Sequence, residues 1–157
     1  MTVEYGFQGT HITNVAAVLA QCPSWQTVCG VATEAEASGY IHLVDVQPEP
    51  DAPYAVVYPG DTSVTAIDTG NALVFSGTVD VLLVLSPPGA GQAAKFFAFD
   101  AAVSNIVLEI QERAHDGYAI IRNFEVPKDT YGRFTDPEKR GRGDMYAAHI
   151  TVAVGVQ

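Results

Sequence analysis

Residues 73 to 114 constrain this chain more than any other stretch. Leu73 to Leu85 read as a long strand, Ser86-Pro87-Pro88-Gly89-Ala90-Gly91 as a sharp connection, and Gln92 to Ala114 as the only long helix in the second half. On the strand, Leu73, Phe75, Gly77, Val79, Val81, Leu83 and Leu85 share one face. Val74, Ser76, Thr78, Asp80, Leu82 and Val84 share the other, which is polar in its middle third. The first face is therefore expected to be covered throughout, and the second to be partly exposed or to meet a partner. On the helix, Phe96, Phe99, Val103, Ile106 and Ile110 recur at spacings of 3, 4, 3 and 4 and form one apolar stripe. Phe97, Val107 and Leu108 flank that stripe and widen it beyond what one sheet face consumes, which predicts a second contact.

The remaining segments pack around this unit. Met1 to Gly9 reads as an arm. Thr10 to Gln21 is a short helix with Ile12, Val15 and Leu19 on one side, stopped by Pro23. Ser24 to Gly30 adds a helical turn with Trp25 and Val28 facing inward. Thr33-Glu34-Ala35-Glu36 has the form of a capping box, in which Glu36 reaches back to the Thr33 N–H. Tyr40 to Val44 is a short strand, and Val46 to Pro53 a proline-rich acidic loop. Pro53 to Tyr58 is a strand ended by Pro59-Gly60-Asp61, and Ser63 to Ile67 a weaker one. After the long helix, Tyr118 to Val126 is a strand, Pro127 to Asp144 a long polar loop, and Met145 to Val156 a final strand. That last strand carries no fixed charge, and His149 is its only titratable side chain. It has to be central in the sheet or paired with another chain, because an open edge that apolar would template aggregation. The fold class is α/β in the broad sense (α+β): a mostly antiparallel sheet flanked by one long helix and short N-terminal helices. Residues 1–157 are read as a single domain.

Charge narrows the function. The net charge is −10, with no Lys or Arg before Lys95 and nine acids in that stretch. From Lys95 onward eight bases face nine acids, and Arg133, Lys139, Arg140 and Arg142 fall within ten residues of each other. Such a chain does not hold nucleic acid non-specifically, since phosphate neutralisation needs a basic face. Polarity of this kind suits head-to-tail contact between identical copies. No apolar run is long enough for a membrane span, and the N-terminus lacks the features of a signal peptide, so a product of the cytoplasm is expected. Cys22 and Cys29 do not form a Cys-x-x-Cys motif and are read as free thiols packed as small hydrophobes.

No catalytic pattern emerges. His11, His42, His115 and His149 form no His-x-x-x-His or His-x-His pair, so no metal site and no cofactor are expected. Gly-x-Ser-x-Gly and the phosphate-binding loop are both absent. Pro88-Gly89-Ala90-Gly91 opens a helix, where an anion could bind, but tight strand-to-helix geometry explains the glycines equally well. The Glu34/Glu36 pair is accounted for by capping. The basic cluster is interleaved with Phe134, Asp136 and Glu138, which favours a protein partner over nucleic acid. The chain is not expected to be an enzyme.

The order of elements resembles the tail terminator (tail completion) proteins of long-tailed bacteriophages and related gene-transfer particles. The resemblance rests on the helix followed by Pro23-Ser24-Trp25-Gln26, the Ala-Glu-Ala turn leading to Tyr40-Ile41-His42, the segment Pro53 to Asp61, the strand ending Leu85-Ser86-Pro87 before a long helix, and the strand–loop–strand finish. It implies a structural virion protein at the head-proximal end of the tail. Its expected partners are itself, as a homo-hexameric ring, the tail tube protein, and a head connector or head-completion protein. DNA would be only passing cargo, and no membrane is involved. Under this resemblance Phe97, Val107, Leu108, Tyr146, Ile150, Val152 and Val154 are expected at subunit contacts. Arg133, Phe134, Lys139, Arg140 and Arg142, with the 1–9 arm, are expected to dock the tube or connector. Two alternatives stay open: another head–tail joining or tube protein, and a small-ligand-binding α/β domain with its pocket at the Pro88–Gly91 turn.

Overall fold

Three helices precede the sheet in a computed structural model of the chain, which describes residues 6–45, 50–66, 73–113, 120–125, 132–134 and 145–156. The first, α1 (Phe7–Gln21), begins three residues earlier than its apolar spacing predicts, inside the expected arm. Hydroxyl-to-carbonyl bonds from Thr10 to Gly6 and from Thr13 to Gly9 extend it through a glycine-containing first turn. The second, α2 (Pro23–Cys29), has proline in its first turn and ends at Gly30, which adopts the left-handed conformation (φ 70°, ψ 30°). The third, α3 (Glu34–Ser38), is capped by Thr33, whose hydroxyl accepts from the Glu36 N–H at 3.2 Å. The Glu36 carboxylate completes the cap one residue further out than expected, accepting from the Ala32 N–H at 3.3 Å.

The strands are β1 (Ile41–Leu43), β2 (Tyr54–Ala66), β3 (Leu73–Leu85), β4 (Ile120–Glu125), β5 (Gly132–Phe134) and β6 (Met145–Val156), with the long helix α4 (Gln92–Arg113) between β3 and β4. The sheet order is β1-β2-β3-β6-β4, and β5 pairs with the start of β6. Among the described residues β1 and β2 run parallel and every other pairing is antiparallel. The final strand is thus central, between β3 on one side and β4 and β5 on the other, which satisfies its uncharged edges.

Two expectations about the strands change. Pro59-Gly60-Asp61 does not end a strand: β2 runs through it with a bulge between Pro59 and Thr62. A bulge accommodates a proline that cannot donate. A Cβ on Gly60 would collide with Thr78, and the Asp61 N–H bonds instead to the Thr78 hydroxyl at 2.9 Å. The stretch read as the polar loop 127–144 contains β5, whose pairing with Met145–Ala147 covers the first residues of β6.

All four helices lie on one face of the sheet. Val79, Val81, Leu83 and Leu85 of β3 meet Tyr146, Ala148, Ile150, Val152 and Val154 of β6, together with Phe99, Val103, Ile106 and Ile110 of α4 and the inner sides of α1 and α2. Trp25 is fully buried and donates its indole N–H to the Ala37 carbonyl at 3.4 Å. Helix α2 is fastened to α4 by Glu109, whose two carboxylate oxygens accept from the Ser24 N–H (3.0 Å) and hydroxyl (2.8 Å). A carboxylate at the first turn of a helix satisfies an otherwise orphaned donor and complements the helix dipole. Cys22 and Cys29 are free and buried, and burial first, with Glu109 second at Cys22, pushes both thiols up to about 12. Neither has the depressed value of a reactive thiolate.

Candidate functional site

Helix α4 is entered through two glycines in positive-φ conformations, Gly89 (135°) and Gly91 (89°), and a Cβ on Gly89 would press on Ala94. The turn is therefore built for geometry: it reverses the chain from β3 onto the sheet and fixes which side of α4 faces in. At about 100° per residue, Phe99, Val103, Ile106 and Ile110 point to the sheet, while Phe97, Ala101, Ser104 and Leu108 lie on the opposite side. The exposures agree: Phe97 is 69% and Leu108 58% exposed. Phe96, expected in the inner stripe, is 38% exposed. Its position is about 50° from the centre of the stripe. There its ring meets that of Phe97 edge-on, with centroids 6.1 Å apart. Val107 is half-buried and packs on the core.

The residues expected at subunit contacts therefore separate. Tyr146, Ile150, Val152 and Val154 are buried within the chain's own core, at 2% exposure or less. Phe97 and Leu108 stand clear of it, with Val107 at the border. Of the expected docking residues, Arg133 and Phe134 fall on β5 at the register positions of Tyr146 and Met145. Lys139, Arg140 and Arg142 lie outside the described residues.

The sheet face away from the helices carries a polar row. Tyr58, Asp80 and Thr151 are aligned across β2, β3 and β6, with His149 beside them. Asp80 Oδ1 accepts from the Thr151 hydroxyl at 3.0 Å and lies 3.0 Å from His149 Nε2, which is 3.2 Å from the Tyr58 hydroxyl. An ionised Asp80 only accepts, so it calls for the proton on Nε2. Burial first and Asp80 second raise the Tyr58 hydroxyl above its ordinary value. Thr151 donates to Asp80 and not to His149, so the acid–histidine–nucleophile order of hydrolases is not formed. The row fastens three strands together. Around it, Tyr54, Val56, Val84 and Ala147 form a small second apolar cluster. Among the described residues no group of three His, Cys, Asp or Glu side chains is placed to hold a metal ion, and no helix is long and apolar enough to cross a membrane.

Sequence reasoning marks Asp80 as a break in its strand and His149 as the lone titratable side chain of the last strand, but does not join them. They are 69 positions apart, and only the β3–β6 register brings them together.

No protein-family model matches this chain, and no curated protein matches it either. Among solved structures, it is similar to a chain in the virion of a native gene transfer agent particle, with a TM-score of 0.54 and 12% sequence identity over 98% of each chain. At that identity the likeness is one of fold, and it extends from end to end.

Proposed function

We propose that this chain is a structural protein of a phage-like virion or gene-transfer particle. Within it, the chain serves as the tail terminator, a ring of identical subunits that caps the tail tube and joins it to the head connector. The observation that carries this reading is the end-to-end likeness of fold to a chain of a gene transfer agent virion. The element order and segment patterns of the sequence resemble the terminator family, which supplies the finer assignment. The acidic balance of the chain suits a lumen through which DNA passes without being held.

In this reading Phe97 and Leu108 on the outer side of α4 are subunit contacts, because large apolar side chains standing clear of the core are what an assembling surface offers. Tyr146, Ile150, Val152 and Val154 take no part, since the subunit's own core occupies them. Arg133 and Phe134, with Lys139, Arg140 and Arg142, serve docking to tube or connector. The protein acts by assembly, at the head-proximal end of the tail, and not as an enzyme.

Light scattering and negative-stain microscopy of the purified protein test the reading. A ring with a central hole, or an oligomer that grows with concentration and binds tail tubes, is the expected result. A strictly monomeric protein at high concentration that also fails to bind tail tubes would sink it.

A further inference from the structure

Helix α4 carries a second stripe on the side turned away from the sheet. Ala93, Phe97, Ala101, Ser104 and Leu108 recur at spacings of 4, 4, 3 and 4, are all exposed, and include no charged residue. Its large members, Phe97 and Leu108, are 69% and 58% exposed. The stripe reads alike in both directions. Phe97 and Leu108 stand equally far on either side of the point between Ala102 and Val103, and Ala101 and Ser104 do the same closer in. Two large side chains thus flank a centre of small ones symmetrically. The electrostatics of the helix run the other way, from end to end. Glu112, exposed in the last turn, lies about 40° round the helix from Leu108, while Arg113 lies about 140° away, on the inner side. The first turn, beside Ala93 and Ala94, holds the N–H groups without helical partners and the positive end of the helix dipole.

We infer that α4 of one copy packs antiparallel on α4 of a second copy, about a two-fold axis that passes between Ala102 and Val103. Phe97 of each copy then meets Leu108 of the other. Ala101 and Ser104 face each other between them, and their small side chains let the helix axes come within the usual 8–10 Å or so. The exposed Glu112 of each copy comes beside the first turn of the other's α4, where a negative charge is favoured. Parallel pairing would set Phe97 on Phe97, bring like dipole ends together and place Glu112 beside Glu112. The occupant is a second copy because the stripe, in both side-chain size and charge, is its own antiparallel complement. Such a contact uses one surface on both partners and covers it, so it pairs copies and does not propagate. The inference rests on the reading above in taking Phe97 and Leu108 as contacts between copies. It adds that the free protein is a two-fold pair, which has to open before those side chains can serve a ring.

Cysteine cross-linking of the full chain tests it. F97C and L108C, mixed in equal amounts and mildly oxidised, should give a covalent dimer joined from 97 to 108. Each variant alone should give at most about a tenth as much, because like positions in the antiparallel pair are about 16 Å apart along the axis, beyond the roughly 7 Å that a disulfide spans between Cα atoms. The wild type, whose Cys22 and Cys29 are buried, is the blank. Ser104→Glu sets two like charges close to the two-fold axis and should weaken pairing of the wild-type sequence at least about tenfold in sedimentation equilibrium. All three positions are exposed, and circular dichroism confirms that the variants are folded. No cross-link in the mixture, cross-linking of F97C alone as strong as in the mixture, or a folded Ser104→Glu that pairs like the wild type would each overturn the α4 pair. Those results would give the stripe to another part of a neighbouring copy or to a different protein. Rings or tube binding seen beside them would leave the proposed function standing. A cross-linked pair from a protein that never forms rings or binds tail tubes would support the α4 contact and count against the tail terminator.

Discussion

The two faces of the sheet do different work. Under the helices, Val79 to Leu85 of β3 and Tyr146 to Val154 of β6 present a field of Val, Leu, Ile, Ala and Tyr side chains, nearly all fully buried. On the other face the same two strands present Asp80, His149 and Thr151, and the apolar cluster around them is small. Burial of apolar area drives folding without direction, whereas hydrogen-bonded groups fix geometry more than they add energy. The helix-covered face therefore supplies most of the stability, and the open face sets how β2, β3 and β6 lie against one another.

Breaking the helix-covered face should have the largest effect. Phe99→Ala removes a fully buried ring that packs against Tyr146 at 5.3 Å between centroids, and should cost about 3–5 kcal/mol in a urea titration. On the open face, Asp80→Ala leaves Thr151 and His149 without their shared acceptor and should cost about 1–3 kcal/mol. If Asp80→Ala destabilises as much as Phe99→Ala, the division of labour between the faces fails.

His11 sharpens the comparison, because among the described residues it is the one polar side chain buried among the helices, and burial lowers its pKa. Its neutral form is favoured in the folded state, so its contribution is present above the unfolded-state value of about 6.5 and lost as pH falls through it. The melting temperature should therefore drop between about pH 7.5 and 5.5, and His11→Asn should drop less over the same interval. Equal pH slopes for the two proteins would remove His11 from the account. The smallest effect on stability belongs to the outer side of α4, where Phe97→Ser should change the unfolding free energy by no more than about 0.5 kcal/mol. The same substitution should weaken assembly if the proposed subunit contact is there, and size-exclusion chromatography with scattering reads that directly.

What could be read from the sequence was whatever a short-range period controls. The stripe of α4 and the two faces of β3 follow from spacings of 3.6 and 2, and the uncharged run from Met145 to Val156 limited β6 to a place inside the sheet or beside another chain. Features set by distant partners were not legible. Pro59-Gly60-Asp61 carries every mark of a turn, yet Thr78 across the hairpin receives the Asp61 N–H and turns the break into a bulge. Phe96 has the correct spacing but lies at the rim, where the ring of Phe97 is its neighbour. The link from Glu109 to Ser24 spans 85 positions, and nothing local in either residue announces it. Of the candidate surface, Phe97 and Leu108 were visible as surplus width on the helix.

The central place of β6 also orders events in time. During synthesis β3 and β4 leave the ribosome before their common neighbour exists, and neither finds another strand on that side among the described residues. Pairing Asp80 with Thr151 closes a long loop, a slow and entropically costly step. Until it happens both strands expose unpaired backbone. A chain stopped short of Met145 should therefore be prone to aggregate, while a chain that includes β6 hides those edges.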